Sequence, residues 1–238
     1  MTDDEVRAAY DRLAAGYDAD GDTKPSNAYL ERPAMRALLP TVEGTTVLDA
    51  GCGAGHLTAE LVADGAHVVG LDSSAEMLRF ARERAPDAAF VRADLGTPLP
   101  FDAGAFGGVA SSLAFHYVPD WGPLFAELAR VVRPGGWLTF TVQHPHADFV
   151  EYDGVENYHK TERVSATWTS FGSPIEVPAY RRPLESMITP ALDVGFRLDR
   201  LFEPTPTDDY RAADPERYEY EATNPNFLGL RFDVPTDE

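Results

Sequence analysis

A chain of 238 residues, 44% of them hydrophobic, is ample for one α/β domain with a real core and short for two. Its formal net charge of −19, from 39 acidic against 20 basic residues, argues against nucleic acid and anionic membranes as partners. Lysine occurs only at Lys24 and Lys160. Such an acidic, lysine-poor, halophilic-type surface also suits a high-salt cytoplasm, in which case the acidity reports habitat rather than partner.

The single cysteine, Cys52, excludes an intramolecular disulfide and reads as a small buried residue. The first residues lack the basic start and apolar run of a secretory signal, and no stretch approaches 18 apolar residues. The expectation is a cytoplasmic protein without a membrane partner.

Residues 3–39 read as two helical pieces split by Gly21-Asp22-Thr23-Lys24-Pro25. Val6, Ala9, Tyr10, Leu13 and Ala14 recur at helical spacing in the first, which Gly16-Tyr17-Asp18 closes. Asn27 to Leu39 forms the second. From 45 to 143 strands and helices alternate, which predicts right-handed crossovers and a parallel sheet. Strands fall near 45–49, 67–71, 88–92, 106–112 and 136–142, and helices near 55–64, 74–84 and 121–132. Pro134-Gly135-Gly136 reads as the turn before the fifth strand. A loop-rich segment follows to about Arg182, holding Phe149, Tyr152, Tyr158, Trp168, Phe171 and Tyr180 with Asp148, Glu151, Asp153 and Glu156. The remainder predicts a helix over 183–194, a sixth strand over 196–203, an irregular proline-rich connection over 204–226 and a seventh strand over Phe227–Phe232.

The chemistry centres on Val47-Leu48-Asp49-Ala50-Gly51-Cys52-Gly53-Ala54-Gly55, a buried strand entering a glycine-rich turn before a helix. Glycines at 51, 53 and 55 permit positive φ and close approach of a ligand to the backbone, and the helix N-terminus offers free N–H groups. The dinucleotide fingerprint needs glycine where His56 stands, and no Gly-Lys-Ser/Thr follows to make a phosphate loop. Asp49, two residues before the first glycine, would repel a pyrophosphate and suits a cation. The next strand ends in Asp72, 21 residues after Gly51, the distance at which a carboxylate grips a ribose diol. The third leads into Asp94 and Leu95, suited to an adenine amino group and ring face. Taken singly, these positions also read as a tight turn, a helix cap and a loop opening.

The stretch Asp49 to Gly55 resembles the first motif, acidic-x-Gly-x-Gly-x-Gly, of the class I S-adenosylmethionine (SAM)-dependent methyltransferases. The resemblance covers roughly residues 8–143, and within that superfamily the chain is similar to the small-molecule group that includes the ubiquinone/menaquinone-biosynthesis enzymes. It implies a Rossmann-like, seven-stranded, mostly parallel sheet with helices on both faces, its last strand inserted antiparallel between the fifth and sixth. It implies SAM as cofactor and S-adenosylhomocysteine (SAH) as product. Cofactor contacts are then expected from Asp49, Gly51, Gly53, Gly55, Asp72, Ser73, Met77, Asp94, Leu95, Ser111 and Tyr17. Met77 reads equally as core. Tyr10 and Tyr17 resemble lid residues and equally suit helix packing, while Arg32 reads as a contact to the SAM carboxylate or as an ordinary solvated arginine.

The acceptor is expected beside the fourth strand, at the switch point of the sheet, near Ser111, Leu113 and His116. Candidate general bases are His116, His144 and His146, whose ordinary pKa lies near working pH. His144, His146 and Asp148 also have a spacing that suits a metal, but no further His/Cys cluster completes a ligand set, so none is expected. The Asn/Asp-Pro-Pro-aromatic signature of many amino-directed enzymes is missing. The expected organisation is one domain over 1–238, with a helical cap (1–40), a SAM-binding core (41–143), a substrate-side loop or lid (144–182) and a C-terminal helix and strands (183–238). The expected activity is methyl transfer to oxygen or carbon of a small, partly apolar molecule. A non-catalytic SAM-binding regulator and a nicotinamide-dependent oxidoreductase are the alternatives.

Overall fold

The computed structural model describes residues 2–20, 23–152, 154–169 and 174–236. Gly21, Asp22, Asp153 and Phe171, named above, lie outside them. Helix α1 (Thr2–Asp20) buries Ala9, Leu13 and Ala14, so the apolar spacing does mark its inner face, and it runs beyond Asp18. A π-helical turn over Asn27–Glu31 leads into α2 (Arg32–Leu38), with Pro33 in its first turn, where a missing N–H costs nothing.

The core then alternates: β1 (Thr46–Ala50), α3 (His56–Ala63), β2 (His67–Asp72), α4 (Ala75–Arg84), β3 (Ala89–Arg92), β4 (Phe106–Ser112), α5 (Trp121–Val131) and β5 (Val132–Gln143). Ser74 caps α4 by accepting the Met77 N–H at 3.1 Å, and Asp120 caps α5 by accepting that of Gly122 at 3.0 Å. After β5 come α6 (Pro145–Glu151), β6 (Glu162–Trp168), β7 (Ile175–Arg181), α7 (Leu184–Asp193), β8 (Arg197–Phe202), α8 (Asp208–Ala213), α9 (Pro215–Glu221) and β9 (Phe227–Asp233).

Seven strands make one sheet in the order β3-β2-β1-β4-β5-β9-β8, parallel except for β9, which runs antiparallel between β5 and β8. This is the Rossmann-like arrangement expected. Alternation along β1 sends Leu48 to a core shared with Phe125, Phe140 and Phe232, and Val47 to the opposite face with Val68 and Leu61. Sheet and helices thus bury both faces. The order reverses direction between β1 and β4, so their carboxyl ends flank the switch-point crevice.

Three expectations are corrected. The fifth strand begins at Val132, ahead of Pro134-Gly135-Gly136, because a bulge lets Phe106 pair with Val132 and Gly108 with Trp137. Gly108 is required there: a Cβ would stand 2.1 Å from the Trp137 ring. The segment before Arg182 is not mainly loop, since β6 and β7 pair in register as an antiparallel hairpin and Ile175, Val177 and Ala179 are buried. Nor is 204–226 irregular. Thr207 caps α8, Asp214 caps α9, and Pro215 occupies the first turn of α9, where proline starts a helix rather than breaking one.

Candidate cofactor and acceptor site

A cleft opens at the carboxyl ends of β1, β2, β3 and β4. Gly51, Gly53, Asp72, Ser73, Asp94 and Leu95 line it, with Tyr10 and Tyr17 of α1 across the opening. Six of the expected cofactor positions are therefore brought together from three successive strand ends, and Tyr17 joins them from α1.

Asp72 is held from both sides. Its Oδ2 accepts the Gly53 N–H at 2.9 Å and its Oδ1 that of Ser74 at 2.8 Å. Burial raises its pKa, and these amides oppose the rise. Ionised carboxylate oxygens accept more than one hydrogen bond each, so the group remains able to take hydroxyl donors. Asp94 likewise organises its loop by accepting the Gly96 N–H at 2.8 Å.

A second chamber adjoins on the far side of Gly51 and Gly53, lined by Asp49, Tyr17, Asn27, Glu31, Arg32 and Ser112 among others. Asp49 is 1% exposed; desolvation, reinforced by the negative charge of Asp72, lifts its pKa to about 7 against the opposing hydrogen bond from Thr58. Glu31, not anticipated from the sequence, is 2% exposed and accepts from the Ser112 and Thr141 hydroxyls. Burial raises its pKa as well. Two buried carboxylates beside Arg32 suit an amino-acid zwitterion that also carries a cationic centre. Gly53 takes φ +52°, and the space a Cβ would fill is open, leaving room for a ligand against the backbone. The residues present therefore fit SAM.

Other expected positions stand elsewhere. Ser111 is fully buried and donates to the Ala50 carbonyl at 2.7 Å; alternation along β4 makes Ser112 the wall residue instead. Met77 packs with Ala14 and Ala54 in the core. Gly55 lies against α4, where a Cβ would come within 2.9 Å of Ala81 Cα. Its work is packing.

A third cavity meets the first at Tyr10, Tyr17, Leu113 and Tyr117, which line both. The Tyr10 and Tyr117 hydroxyls are 2.6 Å apart at this junction. Leu113 takes φ +49°, a left-handed conformation strained for a side chain with a Cβ, as the chain leaves β4. The outer walls bring Lys24, Asn27, Gln143, Trp168, Arg217 and Phe227 from distant parts of the chain.

His116 lines this cavity. It is 6% exposed, its Nδ1 has no hydrogen-bond partner among the described residues, and burial, aided by the Arg182 charge, lowers its pKa to about 3. His144 and His146 line none of the three chambers. His144 caps α6 through Nδ1, which accepts the His146 N–H at 3.1 Å, so its Nε2 carries the proton and donates to Glu203 at 2.9 Å. Both ring nitrogens are engaged in structure. No group of three metal-ligating side chains occurs among the described residues, and no described helix is long and apolar enough to cross a membrane.

The Methyltransferase domain family matches residues 48–140, which hold β1 through most of β5. The crystal structure of a SAM-dependent methyltransferase from Mesorhizobium loti, at 1.60 Å resolution, superposes with a TM-score of 0.75 at 30% identity, over 89% of this chain and 99% of that one. The chain belongs to the SAM-dependent methyltransferases. SAM is accordingly its cofactor. Among curated relatives, the malonyl-[acyl-carrier protein] O-methyltransferase of Salmonella typhimurium is 36% identical over 57% of this chain and 52% of its own length. The demethylmenaquinone methyltransferase of Clavibacter sepedonicus is 38% identical over 56% and 55%. The chain thus spans about half the length of the curated relatives it matches.

Proposed function

We propose that this protein transfers the methyl group of SAM to oxygen or carbon of a small, partly apolar molecule. The observation that carries the reading is the meeting of two chambers at Tyr10, Tyr17, Leu113 and Tyr117: one walled by ribose- and adenine-type contacts, the other by aromatic and polar side chains. The cofactor, when bound, supplies a methyl already activated by a sulfonium. The protein's share is then alignment, for which orientation is worth ~7–11 kcal/mol of barrier. Asp72, Asp94 and Leu95 would fix the nucleoside, while Asp49 and Glu31 would hold its cationic end.

In this reading residues 1–40 cap the core, 41–143 bind the cofactor, 144–182 close the acceptor side and 183–238 complete the sheet. The net charge of −19 supports a protein without a nucleic-acid partner. Calorimetric titration with SAM, SAH and NADH in high salt, with Asp72→Ala alongside, tests the assignment. Saturable binding of SAM and SAH, weakened by the substitution, is expected. Binding of NADH instead, or of nothing, would overturn it, and tight SAM binding without turnover across many acceptors would favour a regulatory role.

A further inference from the structure

We infer that the acceptor binds as an uncharged molecule, its reacting end hydrogen-bonded by His116 and by the Tyr10–Tyr117 hydroxyl pair; the inference rests on the methyltransferase reading above. The ionic groups of the acceptor cavity are already committed. Arg217 pairs with Glu221 at 2.7 Å and with Glu151 at 3.3 Å. The Asp214 carboxylate accepts the Arg217 backbone N–H at 3.0 Å as the cap of α9. Lys24 is engaged as well, its ammonium 5.5 Å from the centre of the Trp168 ring. Along the wall Lys24 and Arg217 balance Glu151 and Asp214 in formal charge, although the chain as a whole carries −19. An anion or a cation would therefore give up its water and find no uncommitted counter-charge among the described residues, a costly exchange.

What remains for a ligand is neutral, and it stands where the cavity meets the cofactor cleft. His116 lines the cavity, and its Nδ1 is shut off from solvent without a partner among the described residues. Nε2 is left as the ring nitrogen open to the cavity. The His116 and Tyr117 rings are 4.1 Å apart between centres, so the imidazole sits beside the junction of the chambers. There the Tyr10 and Tyr117 hydroxyls lie 2.6 Å from each other, and neither has another hydrogen-bond partner among the described residues. Two hydroxyls carry two protons and their mutual bond uses one, so the pair has an O–H left to donate. A hydroxyl or carbonyl oxygen on the acceptor can take that O–H, and a hydroxyl can also pair with Nε2 of His116. Leu113, Trp168 and Phe227 offer apolar surface to the rest of the molecule.

These groups keep their neutrality near pH 7. Burial, aided by the Arg182 charge, holds His116 at about 3, and burial pushes both phenols far above their ordinary range. His116 thus recognises the acceptor rather than deprotonating it. In transfer to a hydroxyl, an oxygen lone pair forms the new O–C bond, the carbon–sulfur bond breaks onto sulfur and the hydroxyl proton passes to water, giving methyl ether and SAH.

The test titrates SAH-saturated protein calorimetrically with three ligands of one shape: 3-phenylpropan-1-ol, 3-phenylpropionate and 3-phenylpropylammonium. The alcohol should bind at least about tenfold more tightly than either ion. His116→Ala should weaken alcohol binding at least about fivefold, and His116→Gln, which keeps a neutral donor and acceptor, should recover most of the loss. Unchanged SAH affinity in both variants shows that they fold. In parallel, tritiated SAM is offered with separate pools of alcohols and phenols, of carboxylic acids and of amines, and label should pass to the first. Equal binding of the three ligands, tighter binding of either ion, no binding of any, indifference to His116→Ala, or label in the ionic pools alone would overturn the neutral-acceptor assignment and leave the methyltransferase reading intact. Failure to bind SAH at all would overturn both.

Discussion

The Gly53 amide donates to Asp72 Oδ2 at 2.9 Å, tying the turn after β1 to the end of β2. The carboxylate expected to grip the ribose therefore also shapes the glycine turn. Replacing Asp72 with alanine orphans two backbone donors, Gly53 and Ser74. Hydrogen bonds to charged acceptors contribute about 1.5–3 kcal/mol each, and burial of Asp72 offsets part of this. Asp72→Ala should lower unfolding free energy by about 2 kcal/mol in denaturant titration and weaken SAH binding at least about tenfold. Ser111→Ala serves as the contrast: it should cost about 1 kcal/mol of stability through the lost bond to Ala50 and leave SAH affinity within about twofold.

The Asp49 carboxyl, lifted to about 7 chiefly by burial, makes cofactor binding pH-dependent. Its folded pKa lies above the unfolded value, so the folded protein keeps a proton that the unfolded chain has released. The group's contribution to stability accordingly falls as pH rises from about 4 to about 7 and is flat above that. Binding of a cation in the chamber favours the ionised form and expels the proton. SAM affinity should therefore rise with pH through the region near 7, with proton release detected by calorimetry in buffers of different ionisation enthalpy. Asp49→Asn should flatten the slope. An unchanged slope would move the linkage to Glu31, whose pKa is also raised by burial.

Legibility followed the range of the interactions. Asp49 to Gly55 spells its own backbone path, because positive φ at Gly51, Gly53 and Gly55 is a local requirement. The strand-end carboxylates Asp72 and Asp94 followed from spacing alone. Ser111 was misplaced by one residue, and in a strand one residue exchanges core for wall. Lys24, Arg217 and Asn226 meet at one cavity only through tertiary packing, and nothing local to them announces it. Glu31 was hidden in the same way, its partners Ser112 and Thr141 lying on two strands far along the chain. Pro215 misled because a proline reads as a break until the capping Asp214 before it is recognised as a start.

The Tyr10–Tyr117 hydroxyl contact at the junction of the chambers should behave as a coupled pair. Removing one hydroxyl leaves the other buried without that partner, which costs about 1–3 kcal/mol. Tyr10→Phe and Tyr117→Phe should each be destabilising by about that amount, while the double variant should be more stable than the sum of the singles predicts. Thermal or denaturant unfolding of the four proteins closes the cycle. Strict additivity would mean that the two rings are held by packing, Tyr10 on Tyr17 and Trp168 and Tyr117 on Tyr10 and His116, rather than by their hydroxyls.

His144 provides the sharpest separation of structure from chemistry. Its ring caps α6 and donates to Glu203, so His144→Ala should reduce stability by about 1–2 kcal/mol from the lost cap and bond. Because the ring lines none of the chambers, SAH affinity and the transfer rate at saturating acceptor should change by less than about twofold in the folded protein. His116→Ala should act differently. Its ring lies in the acceptor cavity but stays neutral near pH 7, so the variant should raise the KM for the acceptor more than it lowers kcat. A fall in kcat of about 10²-fold or more for either variant, with a pH profile that loses one limb, would instead assign that histidine the proton transfer.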